Sequence, residues 1–120
     1  MSAQTFVLTW PVSTNDLWRA VRGRNILSAK AREWAKTASL ELIAQRARPI
    51  KGRVAINIEL SSPNYQPYDP DNRVKAVLDL HVKNLVIDSD NHRTVRRHVV
   101  EVCDDGSFTG ARVTVASMEV

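Results

Sequence analysis

Two pairs of aspartates, each pair split by one residue, bracket a helix-like segment: Asp69-Pro70-Asp71 before it and Asp88-Ser89-Asp90 after it. Lys75 follows the first pair by four residues, and Asp79 follows Lys75 by four more. Carboxylates grouped without a cysteine or histidine set suit a hard divalent cation, Mg²⁺ with Mn²⁺ as its substitute, because such ions take oxygen ligands. Gathering like charges is unfavourable unless a cation lies between them. A bound divalent ion activates water and stabilises charge developing on a phosphate, so phosphoryl transfer is the chemistry that this pattern points to. Lys75 would orient that water or neutralise charge at phosphorus. A calcium loop is excluded, because the glycine needed at its sixth position is Val74 in one frame and Arg93 in the other.

Each residue also has a plainer reading. Asp69 would cap a helix, with Pro70 at the first helical position, where its missing N–H costs nothing. Asp79 would pair with Lys75 or Lys83 at four-residue spacing. Asp88-Ser89-Asp90-Asn91 would be a polar turn. The spacing predicts a helix from about Pro70 to Leu85, with Asp71, Lys75 and Asp79 on one face at about 100° per residue. Val74, Val77, Leu78, His81 and Leu85 form the neighbouring apolar stripe. The far end of such a helix lies ~22 Å from its start. Asp90 must therefore return through the loop that follows, or the site must be completed otherwise.

The rest of the chain supplies scaffold. Thr5 to Trp10 reads as a strand ended by Pro11, and Ser13 to Asp16 as a turn. Leu17 to Arg32 contains Arg19, Arg22, Arg24, Lys30 and Arg32 and no acid, with Gly23 marking a loop. This is a phosphate-contacting arm or a solvated basic loop. Trp18 is expected in the core, with stacking on a base as the alternative. Ser28 caps a helix to about Arg48, buried along Ala31, Trp34, Ala35, Ala38 and Leu42 and stopped by Pro49. Val54, Ile56, Ile58 and Leu60 alternate with smaller or polar residues, the mark of a half-buried strand. Strands are expected at Thr94–Val102 and Ala111–Met118, joined as a hairpin through Asp104-Asp105-Gly106-Ser107. The order strand, helix, strand, helix, strand, strand implies an α+β fold, with two helices layered on a mixed four-stranded sheet.

The 120 residues, 43% of them apolar, allow one core and a single domain over residues 1–120. A net charge of +4 despite the acidic motif suits a polyanionic partner. The lone Cys103 excludes an internal disulfide and fits a reducing compartment. With no signal peptide or membrane-length apolar run, the expected location is the cytoplasm, with no membrane partner and no small-molecule cofactor.

The motif Asp69-x-Asp71-Asn72-x-x-Lys75-Ala76-x-x-Asp79, followed after a hydrophobic step by a short acidic cluster, resembles the RusA family of Holliday-junction resolvases of bacteria and their prophages. The Trp10-Pro11 start, the Asn15 turn and the basic stretch near Arg24 are similar to the family's opening segment. The resemblance implies a RusA-like fold, with Asp69, Asp71 and Asp90 as metal-binding catalytic carboxylates and Lys75 as the catalytic lysine. The family has two adjacent aspartates where this chain has Asp88-Ser89-Asp90, so Asp88 is the alternative third ligand. It further implies a homodimer that uses Mg²⁺ to place two symmetric nicks in a four-way DNA junction. Arg19, Arg22, Arg24, Lys30, Arg32, Arg93, Arg96 and Arg97 would then line the DNA arms. The competing readings are a branched-DNA binder without cleavage, and a metal-dependent nuclease or phosphatase without junction selectivity.

Overall fold

The computed structural model describes residues 3–119. The chain forms β1 (Ala3–Leu8), β2 (Trp18–Val21), β3 (Arg24–Leu27), α1 (Ala29–Ala44), β4 (Val54–Ser61), α2 (Val74–Lys83), β5 (Val95–Val102) and β6 (Gly110–Ser117). Short 3₁₀ turns cover Thr14–Asp16 and Pro70–Arg73. The mixed sheet runs β1-β6-β4-β5, with β4 and β5 parallel and the other pairs antiparallel. Period-two alternation places Phe6, Leu8, Val54, Ile56, Ile58, Leu60, Ala111, Val113 and Val115 on one face, where both helices bury them in one core. The α+β expectation holds for this sheet and its two helices.

Two local expectations do not. β5 and β6 do not form a hairpin, because β4 lies between them. The Asp104–Ser107 turn is closed locally by the Ser107 amide donating to Asp105, which bends the chain without fixing what its arms pair with. β4 and β6 each bury every second side chain and take central places, whereas Arg96, Arg97 and His98 suit β5 to an edge. Gly23 does lie in a turn, but the residues around it are strands: β2 pairs with β3 through Arg22-Gly23, both at positive φ. That geometry matches the twist of a two-residue hairpin.

The other edge strand, β1, is covered by side chains from α1 and from Gln45, the residue that caps its end. Gln45 exchanges hydrogen bonds with the backbone N–H and C=O of Val7, Glu41 accepts from the Thr9 N–H, and the Trp34 indole donates to the Thr9 carbonyl. Gly110 admits no side chain, since a Cβ there would lie 2.0 Å from the Leu8 carbonyl oxygen. Among the described residues no helix is long and apolar enough to cross a membrane.

Both helices end earlier than expected, at Ala44 and Lys83 rather than near Arg48 and Leu85. The cause is the same in each. Arg46 and Leu85 adopt left-handed φ of 60° just past the last turn. The Leu85 N–H then donates to Val82 and the Val86 N–H to His81, while Arg46 donates to Ile43 and Ala47 to Leu42. This is the Schellman closure, here built without the glycine that usually announces it. Leu85 is thereby lifted out of the apolar stripe and left 71% exposed. Leu85→Gly should remove left-handed strain and raise unfolding stability by about 0.5–1 kcal/mol, measured by urea denaturation.

His81 is fully buried against Phe6. Its Nδ1–H donates to the Val77 carbonyl at 2.7 Å, while Nε2 has no partner among the described residues. Burial holds its pKa below the ordinary value, outweighing the Val77 bond. The neutral ring therefore contributes stability that is complete above the unfolded value of about 6.5 and declines as pH falls from there toward the lower folded value. Urea midpoints compared between pH 7.5 and 5.5 should drop more for the wild type than for His81→Leu; parallel drops would remove His81 as the cause.

Candidate active site

The first acidic pair sits on the 3₁₀ turn that leads into α2. This turn is fixed by an aromatic and cationic cluster absent from the sequence-based expectations. The Arg73 guanidinium lies 5.1 Å from the Trp10 ring centre, and its Nη1 donates to the Pro11 carbonyl at 2.6 Å. Tyr68 meets the same Trp10 ring edge-on at 4.9 Å. Thr14 Oγ1 donates to the Asn72 carbonyl at 3.0 Å. Burial lowers the Arg73 pKa from its ordinary value, the expected effect of drawing a guanidinium out of water. The sequence signal was the aromatic-proline pair Trp10-Pro11, whose contact with Arg73 spans more than sixty residues.

Asp69 and Asp71 both stay exposed. Asp69 occupies the N-cap position but makes no side-chain capping bond, which corrects the capping expectation. The first four residues wind as a 3₁₀ turn with three residues per turn, so Asp71 does not keep the α-helical phase assumed for it. Lys75 and Asp79 do keep that phase, being four apart within α2.

Lys75 joins α2 to the second acidic pair. Its Nζ lies 2.9 Å from Asp79 Oδ1 and 2.9 Å from Asp90 Oδ2. Asp90 thus returns to Lys75 within one chain. The Schellman turn reverses the chain after Lys83, and buried Val86 and Ile87 anchor it, with the Ile50 N–H donating to the Val86 carbonyl. Asp90 is a stronger acid than usual, chiefly through its bond from Lys75. Lys75 is correspondingly raised, first by Asp90 and then by Asp79, so it remains an ammonium through the neutral range.

Asp88 points elsewhere. Its carboxylate accepts from the Gly52 N–H at 3.0 Å and pairs with Lys51 at 3.5 Å. The Gly52 bond is the main reason that its pKa is lowered. Among the described residues, no three His, Cys, Asp or Glu side chains are gathered as a ready metal cluster. The donor chemistry nevertheless suits a hard ion. Asp69 and Asp71 offer oxygens that no hydrogen bond or ion pair occupies among the described residues, and they stand on the turn immediately before the Lys75 helix.

Of the expected DNA-contacting cations, Arg19, Arg22 and Arg24 lie exposed on the β2–β3 hairpin, and Arg96 and Arg97 lie exposed on edge strand β5. Arg93 is exposed in the turn before β5. Lys30 is exposed but 3.4 Å from Asp16, and Arg32 donates to the Leu27 carbonyl. Trp18 is half exposed on the hairpin, not in the core.

Residues 9–116 match the family described as endodeoxyribonuclease RusA. The chain belongs to this family. The RusA family supports Holliday-junction resolution by DNA cleavage as the general activity, with DNA as the partner. No individually curated protein matches the sequence significantly.

If the Lys75 bridge sets the charge of this RusA site, Asp90→Asn and Asp79→Asn should each lower the Lys75 pKa, Asp90→Asn by more. Lysine side-chain NMR titration reads this directly. An unchanged Lys75 titration in both variants would mean that the bridge does not form in solution.

Proposed function

We propose that this chain is a Mg²⁺-dependent endonuclease that cuts four-way DNA junctions as a homodimer, placing paired symmetric nicks. The observation that carries this reading is the Lys75 ammonium held between Asp79 and Asp90, on the helix that follows the turn of Asp69 and Asp71. Asp69, Asp71 and Asp90 would hold the ion. Asp88 is the weaker choice because Gly52 and Lys51 already engage it. When bound, Mg²⁺ supplies Lewis acidity toward the phosphate and makes water a better nucleophile.

The protein groups have roles of their own. Lys75 is cationic and so cannot take a proton at neutral pH. It donates hydrogen bonds, to the attacking water or to the charge that builds on phosphate oxygen. Asp90 and Asp79 keep it charged and aimed. Arg19, Arg22, Arg24, Lys30, Arg32, Arg93, Arg96 and Arg97 would contact phosphates and supply salt-dependent affinity without base choice. Two strands cut symmetrically need two sites in fixed relation, which a two-fold dimer provides.

One observation favours a second reading, a branched-DNA binder that does not cleave: three carboxylates are not gathered among the described residues. A synthetic four-way junction incubated with and without Mg²⁺ separates the two. Paired nicks are expected only with the ion. Asp71→Asn should lower nicking by more than about 100-fold, the scale of several kcal/mol of charge stabilisation, and leave junction binding intact. Wild-type binding without nicking would favour the binder. Equal cutting of linear duplex would reject junction selectivity.

A further inference from the structure

The three tryptophans occupy different settings. Trp34 is buried, Trp10 is packed with Arg73 and Tyr68, and Trp18 is 50% exposed. Trp18 lies directly opposite Leu27 across the β2–β3 hairpin. Both border a largely apolar groove that Ala35 of α1 and Ala76 of α2 also line, and whose charged members are Asp79 and Lys83. The groove holds about 130 Å³, below the roughly 300 Å³ at which pockets for whole small-molecule ligands begin. One flat ring system fits that space better than a nucleotide or a peptide segment.

We propose that this groove is a nucleobase subsite, in which a base drawn from the DNA stack lies against the Trp18 indole with its polar edge toward Asp79 and Lys83. The inference rests on DNA being the substrate. It commits to DNA because of charge. The hairpin carries Arg19, Arg22 and Arg24, none ion-paired among the described residues, and Trp18 to Arg32 contains no acid. Strand register puts Arg19 and Arg24 on the hairpin face opposite Trp18. A polyanionic strand drawn to this hairpin carries what the groove accepts, a flat apolar face with hydrogen-bonding groups on its edge. Stacking on an aromatic side chain is tolerant of base identity, and the groups at the edge are what would discriminate.

The groove also borders the candidate active site. Asp79 lines it and is ion-paired to Lys75. A base seated there would fix which phosphate of the strand faces Lys75 and Asp90. The subsite would therefore set the position of the nick as well as add affinity. Unstacking a base is least costly where stacking is already interrupted, as at the branch point of a junction.

The test uses the full chain in buffer without divalent ions, with a four-way junction carrying 2-aminopurine at the branch point. Junction binding should quench tryptophan emission and change the 2-aminopurine signal. Trp18→Leu keeps an apolar cover but removes the stacking ring. It should abolish both changes and weaken binding by about ten-fold. Trp18→Phe should restore most of the affinity and of the 2-aminopurine change. Wild-type binding with neither optical signal altered would overturn the subsite while leaving the nuclease reading intact. A concentration-dependent emission shift before DNA is added that Trp18→Leu removes would show a second copy covering the groove, and would also overturn it. Absence of any wild-type DNA binding would bring down the DNA-cleavage reading itself, a distinct result. The wild-type signals decide the matter even if Trp18→Leu fails to fold.

Discussion

One ammonium group with two carboxylates at hydrogen-bonding distance ties the helix after the first acidic pair to the segment that carries the second. Lys75, Asp79 and Asp90 are all partly exposed, so their ion pairs contribute little to stability. Their importance is electrostatic. Two negative charges against one positive leave the trio net negative, and Asp69 and Asp71 on the preceding turn are negative too. Under the proposed reading, a divalent cation bound there would offset that excess and let a phosphate approach. The cationic hairpin and the Arg96–Arg97 edge supply the opposite sign elsewhere on the same small protein, which suits a polyanion whose backbone must be brought to an acidic site.

The trio exists because the chain doubles back after α2. Three features produce that reversal. Leu85 adopts a left-handed conformation, the freed carbonyls of His81 and Val82 are satisfied by the next two amides, and Val86 and Ile87 are buried at once. Burying two branched side chains repays the strain of a non-glycine residue at positive φ. His81 serves two ends of this arrangement. Its ring fills the core against Phe6, and its carbonyl accepts the closing hydrogen bond.

At the other end of α2, the 3₁₀ turn is tied to the N-terminal segment by Arg73, Trp10, Tyr68 and Thr14. The first acidic pair is therefore placed by contacts with residues near the start of the chain, and the second by the reversal after the helix. The Asp88 bond to Gly52 ties that return segment to the entry of β4, so the sheet itself helps to aim Asp90.

The sequence alone determined whatever depends on local periodicity and residue chemistry. Alternation from Val54 to Leu60 gave a half-buried strand, the Ala31–Trp34–Ala38–Leu42 spacing gave the buried face of α1, and four-residue spacing gave Asp79 an ion pair with Lys75 or Lys83, of which the fold uses Lys75. The aspartate motif also carried the family. Helix ends escaped, because Arg46 and Leu85 terminate helices without glycine and no local signal marks a left-handed residue of those types. The pairing of β5 and β6 escaped too, since a turn constrains only its own residues while strand neighbours are chosen by which alternating faces must be buried. Tertiary structure alone decided that Asp90 reaches Lys75 while Asp88 turns to Gly52. Two aspartates separated by one serine are equivalent in composition. Only the path of the backbone after Ile87, set by packing against the sheet, makes them different.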